Sequence, residues 1–154
     1  MMPLSWLRLK TFSHPLLLWD DAARLIKDDQ DYRPGIERIY FNRGTEFIGV
    51  KRYAEALVDL NKVLKLTEEK GSQAGYTFYN RGSIYMVTGD YSNALIDYNR
   101  AIELGPYNPL GYVGRAQALL MLNNKTESLK AYNAACTLGN TESCKKIDSL
   151  KPLK

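Results

Sequence analysis

Few residues of this sequence could do chemistry. His14 is the only histidine, and neither a nucleophile motif nor a phosphate-binding glycine loop accompanies it. Cys136 and Cys144 are the only cysteines, and with the distant His14 they cannot supply the four ligands of a structural zinc site. The paired acids Asp20 and Asp21 are expected to be surface charges of a helix rather than a catalytic dyad. The sequence therefore predicts no metal site, no cofactor and no enzymatic activity.

The composition is that of one ordinary globular domain. The 154 residues are 25% charged and 45% hydrophobic, and the net charge of +4 is too weak and too scattered to favour nucleic acid. No apolar run reaches the roughly 18 residues of a membrane helix, and the first residues lack the features of a secretory signal. The expected location is the cytoplasm, or the periplasm if the chain is a fragment of a membrane protein.

Short motifs recur along the chain at a nearly constant distance. Asn42-Arg43-Gly44 is repeated as Asn80-Arg81-Gly82 and, more weakly, as Gly114-Arg115-Ala116, with steps of 38 and 34 residues. A second small residue follows twelve positions after the small residue of each motif; these are Ala56, Ala94 and Ser128. Small residues allow two backbones to approach closely. The chain is therefore predicted to consist of three similar helical hairpins.

Apolar residues mark both helices of each hairpin at helical spacing. In the first helices they are Tyr40, Phe47, Phe78, Tyr85, Tyr112 and Leu119. In the second helices they are Leu60, Val63, Tyr98, Ala101, Tyr132 and Ala135. Each stripe is predicted to face the core, so the predicted fold class is all-α.

These motifs resemble the tetratricopeptide repeat family, in the form common among bacterial members. Three repeats are predicted, at residues 37–70, 75–108 and 109–142, and the second matches the family pattern at nearly every signature position. The step of 34 residues is the period of this family. The resemblance implies an α-α superhelix, a solenoid of helix-turn-helix units that presents a concave surface to other proteins.

The first and third repeats depart from the family pattern. The first has Glu68 in place of the closing proline, and the four extra residues 71–74 are expected to lengthen its second helix or the loop after it. The third has Lys125 where the others have tyrosine and Ser128 where alanine is usual. We therefore expect looser packing in the third repeat.

An arginine stands in each repeat where leucine is common in the family. These arginines are Arg43, Arg81 and Arg115. The stem of an arginine can cover a helix face while its charged head remains in water or pairs with an acid. We expect this structural role rather than a functional row of cations.

The repeats are flanked by an extension at each end. Residues 1–36 are predicted to contain one amphipathic helix, which starts near Pro15 and carries an apolar stripe from Leu18 to Ile26. Residues 143–154 are predicted to form a capping helix and a tail, because the last unit of a repeat array has only one neighbour.

A second, shorter resemblance concerns residues 18–22. This segment is similar to the stretch that joins the membrane part of some bacterial glycan-transferring membrane proteins to a tetratricopeptide tail. The resemblance implies that the chain is a soluble tail related to such a protein and that residues 1–12 lie near a lipid surface.

The family resemblance also implies a partner-binding groove lined by the first helix of each repeat. The groove positions are Arg38, Phe41, Asn42, Thr45, Ile48, Tyr76, Tyr79, Asn80, Ser83, Met86, Leu110, Val113, Gly114, Gln117 and Met121. Most are aromatic, apolar or small and polar, which suits a peptide with apolar anchors. The lysine-rich clamp of the chaperone-binding members is missing, because only Asn80 matches it.

Two functions remain open from the sequence. The first is an adaptor that binds a protein or peptide partner in the groove. The second is a structural module that associates with itself as a homo-oligomer through the same surface. The helix that precedes the repeats could also cover these apolar residues.

Cys136 and Cys144 lie on either side of the turn before the capping helix, so they could face each other. Their spacing resembles the bridge in cysteine-rich helical repeats of secreted bacterial proteins. A disulfide and, in a reducing cytoplasm, two small buried thiols are both compatible with the sequence.

Overall fold

The structure is a computed structural model that describes residues 14–26 and 35–150. Its helices are α1 Pro15–Arg24, α2 Ile36–Gly49, α3 Tyr53–Leu66, α4 Gly71–Thr88, α5 Tyr91–Leu104, α6 Pro109–Met121, α7 Lys125–Thr137 and α8 Thr141–Leu150. None of the helices in these ranges is both long and apolar enough to cross a membrane. The predictions for residues 1–12 and for the tail 151–154 fall outside the described residues.

The chain divides into two compact units, residues 1–68 and 69–154. The first unit contains α1 and the hairpin α2–α3. The second contains the hairpins α4–α5 and α6–α7, followed by α8. The prediction of an all-α chain with three helical hairpins is confirmed.

In the first unit α1 packs on α2, which pairs with α3. Ile36 and Tyr40 of α2 form a buried cluster with Val63 of α3, and Ala23 and Ile26 pack against it. The ten residues of α1 end before Ile26, so only part of the predicted apolar stripe is helical.

Turn residues and caps set the ends of the helices in the second unit. Gly89 follows α4 with φ 84°, a left-handed conformation that glycine adopts without strain. The side chain of Asp90 then caps α5 by accepting a hydrogen bond from the backbone N–H of Asn93 at 3.2 Å. Asn108 caps α6 in the same way, and Pro109 occupies the first turn of that helix.

The extra residues 71–74 lengthen α4, so the prediction that they extend the second helix of the first repeat or the loop after it was wrong. Helix α3 ends at Leu66, whereas α4 begins at Gly71 and runs for 18 residues. Ala74 is fully buried. Its burial gives the added turn of helix an apolar contact, which explains why these residues join the following helix.

The predicted core stripes are buried with two exceptions. Tyr85 and Tyr112 are only half-buried, whereas the other ten residues of the stripes are buried. The small residues at the helix crossings are also buried. In the third hairpin the hydroxyl of Ser128 donates to the backbone oxygen of Ala116 at 2.8 Å, so the serine pairs directly with its predicted counterpart.

Tyr98 of α5 lies between two glycines, one on each neighbouring helix. A Cβ atom added to Gly82 of α4 would lie 3.1 Å from Cε1 of Tyr98, and one added to Gly114 of α6 would overlap the same ring. The absence of these two side chains therefore lets α4, α5 and α6 pack around one tyrosine.

Candidate functional site

Buried ion pairs hold the first helix of two hairpins in place. Arg43 donates to Asp59 through Nε at 2.7 Å and through Nη2 at 2.8 Å, and Arg81 makes the same two bonds to Asp97 at the same distances. Arg43 also donates to Asp20 of α1 at 3.2 Å. The expectation that these arginines pair with acids is confirmed for Arg43 and Arg81. These ion pairs therefore fix the positions of α2 and α4, the helices that carry predicted groove residues.

Burial and hydrogen bonding shift the pKa values of three groups in the second hairpin, those of Asp97, Arg81 and Tyr98. Burial raises the pKa of the Asp97 carboxyl, although Arg81 acts in the opposite direction, and the hydrogen bond to Asp97 raises the pKa of Arg81. The two short bonds keep this pair ionised at neutral pH. Burial also raises the pKa of Tyr98 to about 12, even though its hydroxyl lies 3.3 Å from that of Ser83. Tyr98 is therefore a neutral packing residue.

The predicted groove residues of the first unit form a row on α2 and differ in their exposure to solvent. Arg38 and Thr45 are exposed, whereas Asn42 and Ile48 are half-buried. Phe41 packs against the buried cluster of this unit, to which Ala23 and Ile26 also contribute. Part of this row is therefore occupied by contacts within the unit.

The predicted groove residues of the second unit lie on α4 and α6. Tyr76, Leu110 and Met121 expose 52%, 43% and 51% of their surface, and Gln117 is also exposed. Exposed side chains of this size offer apolar area to a partner without unfolding of the unit.

The other predicted groove residues of the second unit are half-buried or buried. Tyr79 and Met86 pack against a cluster that includes Tyr98, and the rings of Tyr79 and Tyr98 are 5.8 Å apart. Asn80 and Ser83 are half-buried on the same helix. Val113 packs towards α7 and α8, and Gly114 is buried beneath Tyr98, so both are mainly packing residues.

A small pocket of about 70 Å³ opens beside Tyr76. It lies between the starts of α4 and α6 and the end of α5. Its lining consists of Ser72, Gly75, Tyr76, Tyr79, Ala101, Leu104, Gly105, Asn108 and Gly111. Only the two tyrosines among these residues were predicted for the groove, because the predicted groove positions lie on the first helices alone and Ala101 was predicted as a core residue. The Gly105-Pro106 helix stop was the available signal, since it places the end of α5 next to the start of α6.

The two cysteines lie at the last helix junction. Cys136 of α7 and Cys144 of α8 are joined by a disulfide, with their Cα atoms 5.0 Å apart. Ile147 and Leu150 of α8 cover a cluster that includes Tyr132. This bond therefore ties the capping helix to the last hairpin. Within residues 14–26 and 35–150, no three His, Cys, Asp or Glu side chains are placed to hold a metal ion.

Two of the three hairpins match known sequence families. Models described as tetratricopeptide repeat match residues 37–70 and residues 75–108. No curated protein matches the chain as a whole. The family matches coincide with the hairpins α2–α3 and α4–α5 and with the first two predicted repeats.

Solved tetratricopeptide structures share the fold at low sequence identity. The Arabidopsis OM64 TPR domain superposes with a TM-score of 0.68 at 17% identity, covering 75% of this chain and 93% of that one. The first TPR of Spaghetti (RPAP3), bound to the HSP90 peptide SRMEEVD, gives 0.67 at 21% identity over 74% and 89%. A MamA RS-1 double mutant gives 0.74 at 18% identity over 94% and 76%. The two repeat matches therefore identify residues 37–70 and 75–108 as tetratricopeptide repeats, and the likeness to the solved structures shows that the chain has the all-α solenoid fold of this family.

Proposed function

We propose that this chain is an adaptor that holds a partner polypeptide on α4 and α6, the first helices of its second and third repeats. Tetratricopeptide repeats are protein-interaction modules, and this role requires no catalysis by the chain. One observation carries the proposal: Tyr76, Leu110 and Met121 are exposed on α4 and α6, and Tyr76 also lines an apolar pocket. Removing such side chains from water is a main source of affinity when a peptide binds.

A polar side chain in the same row would bond to the backbone of a bound peptide. Gln117 of α6 is exposed and carries an amide with both donors and acceptors, so it can bond to a peptide N–H or C=O group. A backbone that loses water on binding needs such partners, because an unmade hydrogen bond is costly. The row therefore combines apolar anchors with a polar group of the kind that an extended chain requires.

Relatives with bound peptides support this use of the fold. The Spaghetti domain was solved with an HSP90 peptide, and the TPR2B domain of yeast Sti1, at 22% identity, was solved in a pHsp70 complex. The clamp positions of chaperone-binding members carry Phe41, Thr45, Leu110 and Gly114 in this chain. We therefore propose a partner other than an acidic chaperone tail.

Selection from a phage library of random dodecapeptides on the full chain would test the proposal. The dissociation constants of the selected peptides would be measured by fluorescence anisotropy. The double variant Tyr76→Ala and Met121→Ala should weaken binding about tenfold or more, since each change removes exposed contact area. The matched double variant Val87→Ala and Ile96→Ala removes exposed apolar area outside the row and should bind normally.

Two results would contradict the proposal. One is that no peptide is selected, or that both double variants bind as well as the original chain. The other is a dimer, detected by light scattering coupled to size exclusion, that dissociates only in the Tyr76→Ala and Met121→Ala variant. That result would assign the row to a second copy of the chain.

A further inference from the structure

We infer that the pocket of the second unit accepts the end of one aliphatic side chain, such as Leu, Val or Met, from an uncharged segment of the partner. This inference rests on the proposed peptide binding, which it makes more specific. The pocket lies between Tyr76, Ala101 and Gly111, all in the second unit. The repeat pattern by itself predicts no ligand for this space.

The size of the pocket selects the kind of side chain. Its volume is about 70 Å³. A cavity that holds benzene has about 150 Å³, whereas a cavity for one water molecule needs about 10 to 15 Å³. The pocket is therefore too small for an aromatic ring and large enough for a branched or thioether end.

The lining of the pocket selects against charge. Ala101 and Leu104 of α5 supply carbon surface, and the hydroxyl groups are those of Ser72 and the two tyrosines. None of the nine lining residues is acidic or basic. A charged side chain that entered would lose water without gaining an opposite charge, which is unfavourable. An aliphatic group loses no hydrogen bonds on entry.

The row around the pocket has the same electrostatic character. The predicted groove residues on α4 and α6 are tyrosine, asparagine, serine, methionine, leucine, valine, glycine and glutamine, and none is charged. The arginine of α4, Arg81, is already paired with Asp97. A peptide such as SRMEEVD, which the Spaghetti domain binds, would bring three carboxylate side chains to a row without a cation. An uncharged segment matches the surface better.

Peptides from the dodecapeptide selection would test this inference with two matched variants. Ser72→Leu places a larger side chain at the pocket, because Ser72 is exposed and lines it. Ser92→Leu makes the same change at the second residue of α5, where the serine is also exposed but lies outside the lining. The selected peptides should carry little charge and an aliphatic residue. Ser72→Leu should lower their affinity about tenfold or more, whereas Ser92→Leu should leave it unchanged.

Peptides that are mainly acidic, or that bind the Ser72→Leu variant as tightly as the original chain, would overturn the inference and leave peptide binding intact. Replacement of the aliphatic residue by Asp in a selected peptide should also abolish its binding, and unchanged affinity would count against the pocket. Failure to select any peptide would instead overturn the proposed function. Urea denaturation of both serine variants would show that each is folded under the binding conditions.

Discussion

The second and third hairpins lie in the same unit, yet different contacts hold their helices together. In the second hairpin Arg81 donates two hydrogen bonds to Asp97, whose side chain is only 3% exposed. The equivalent positions of the third hairpin are Arg115 and Ala131. There the guanidinium lies 3.9 Å from Glu127, in an ion pair that is accessible to solvent.

The third hairpin relies on apolar cover and on a hydrogen bond from Ser128. Ala131 and Tyr132 of α7 are buried with Ile147 of the capping helix, and the Ser128 hydroxyl bonds to α6. Replacement of a buried ion pair by apolar contacts is often neutral for stability, because the pair must first be removed from water. The hairpin fold therefore does not require the Arg–Asp pair, although a hairpin that contains it depends on both members.

Breaking the pair in the second hairpin should have the largest effect. Asp97→Ala leaves the Arg81 guanidinium without its carboxylate and should lower the free energy of unfolding by about 3 kcal/mol or more. Glu127→Ala breaks only solvent-accessible contacts, to Arg115 and to Lys130, and should leave the urea midpoint nearly unchanged. Urea denaturation followed by circular dichroism compares the two variants, and equal shifts would contradict the distinction between the hairpins.

The next largest effect should come from the disulfide that ties the capping helix to the third hairpin. Cys136 and Cys144 are eight positions apart, and opening so short a loop should cost about 2.5 kcal/mol in the chain-entropy account. The double variant Cys136→Ala and Cys144→Ala should therefore unfold at lower urea than the oxidised chain. Reductant should shift the original chain in the same direction and leave the double variant unchanged. If reductant does not affect the original chain, the bond does not stabilise the cap.

Packing around Tyr98 gives a smaller and graded test, since this ring joins the second hairpin to the third. Gly114→Ala should cost about 2 kcal/mol because its new methyl group overlaps the ring, which packs against Gly82 as well. Gly82→Ala places a methyl group 3.1 Å from the same ring and should cost less. Thermal unfolding measures both variants, and the reverse order would show that Tyr98 shifts towards Gly82.

The turns of the two hairpins should give the smallest effect. Asn123 has φ 60° in the third hairpin, where the second has Gly89 with φ 84°. Asn123→Gly should stabilise the chain by about 0.5 kcal/mol, because glycine adopts this conformation without strain. Gly89→Ala should destabilise it by about 1 kcal/mol for the opposite reason. Thermal unfolding measures both changes, and a loss of stability in Asn123→Gly would show that the asparagine side chain supports the turn.

The repeat period was sufficient to predict the three hairpins and most of their core. Small residues such as Gly82 and Ala94 and aromatic residues such as Tyr98 recur in each repeat, and each hairpin is completed within a short stretch of chain. The ion-pair partners were missed, although Asp59 and Asp97 stand at equivalent positions of the first two repeats. That recurrence was the available signal.

The extra residues 71–74 were assigned to the wrong neighbour because a segment between two helices can extend either one. Burial of Ala74 decided in favour of α4. The pocket was also beyond the sequence analysis. Its walls at Tyr76, Leu104 and Gly111 are separated along the chain, and they meet only because α5 returns to the starts of α4 and α6.

Most local features of this protein follow from its sequence: the helical hairpins, their turns and most of the residues that face the core. These depend on spacing within one repeat and on the conformational preferences of single residues. Only packing between helices decides which predicted groove residues stay exposed, as Tyr76 does, and which are buried, as Gly114 is. The physical reason is that burial depends on the neighbouring helix, whose position results from packing between repeats.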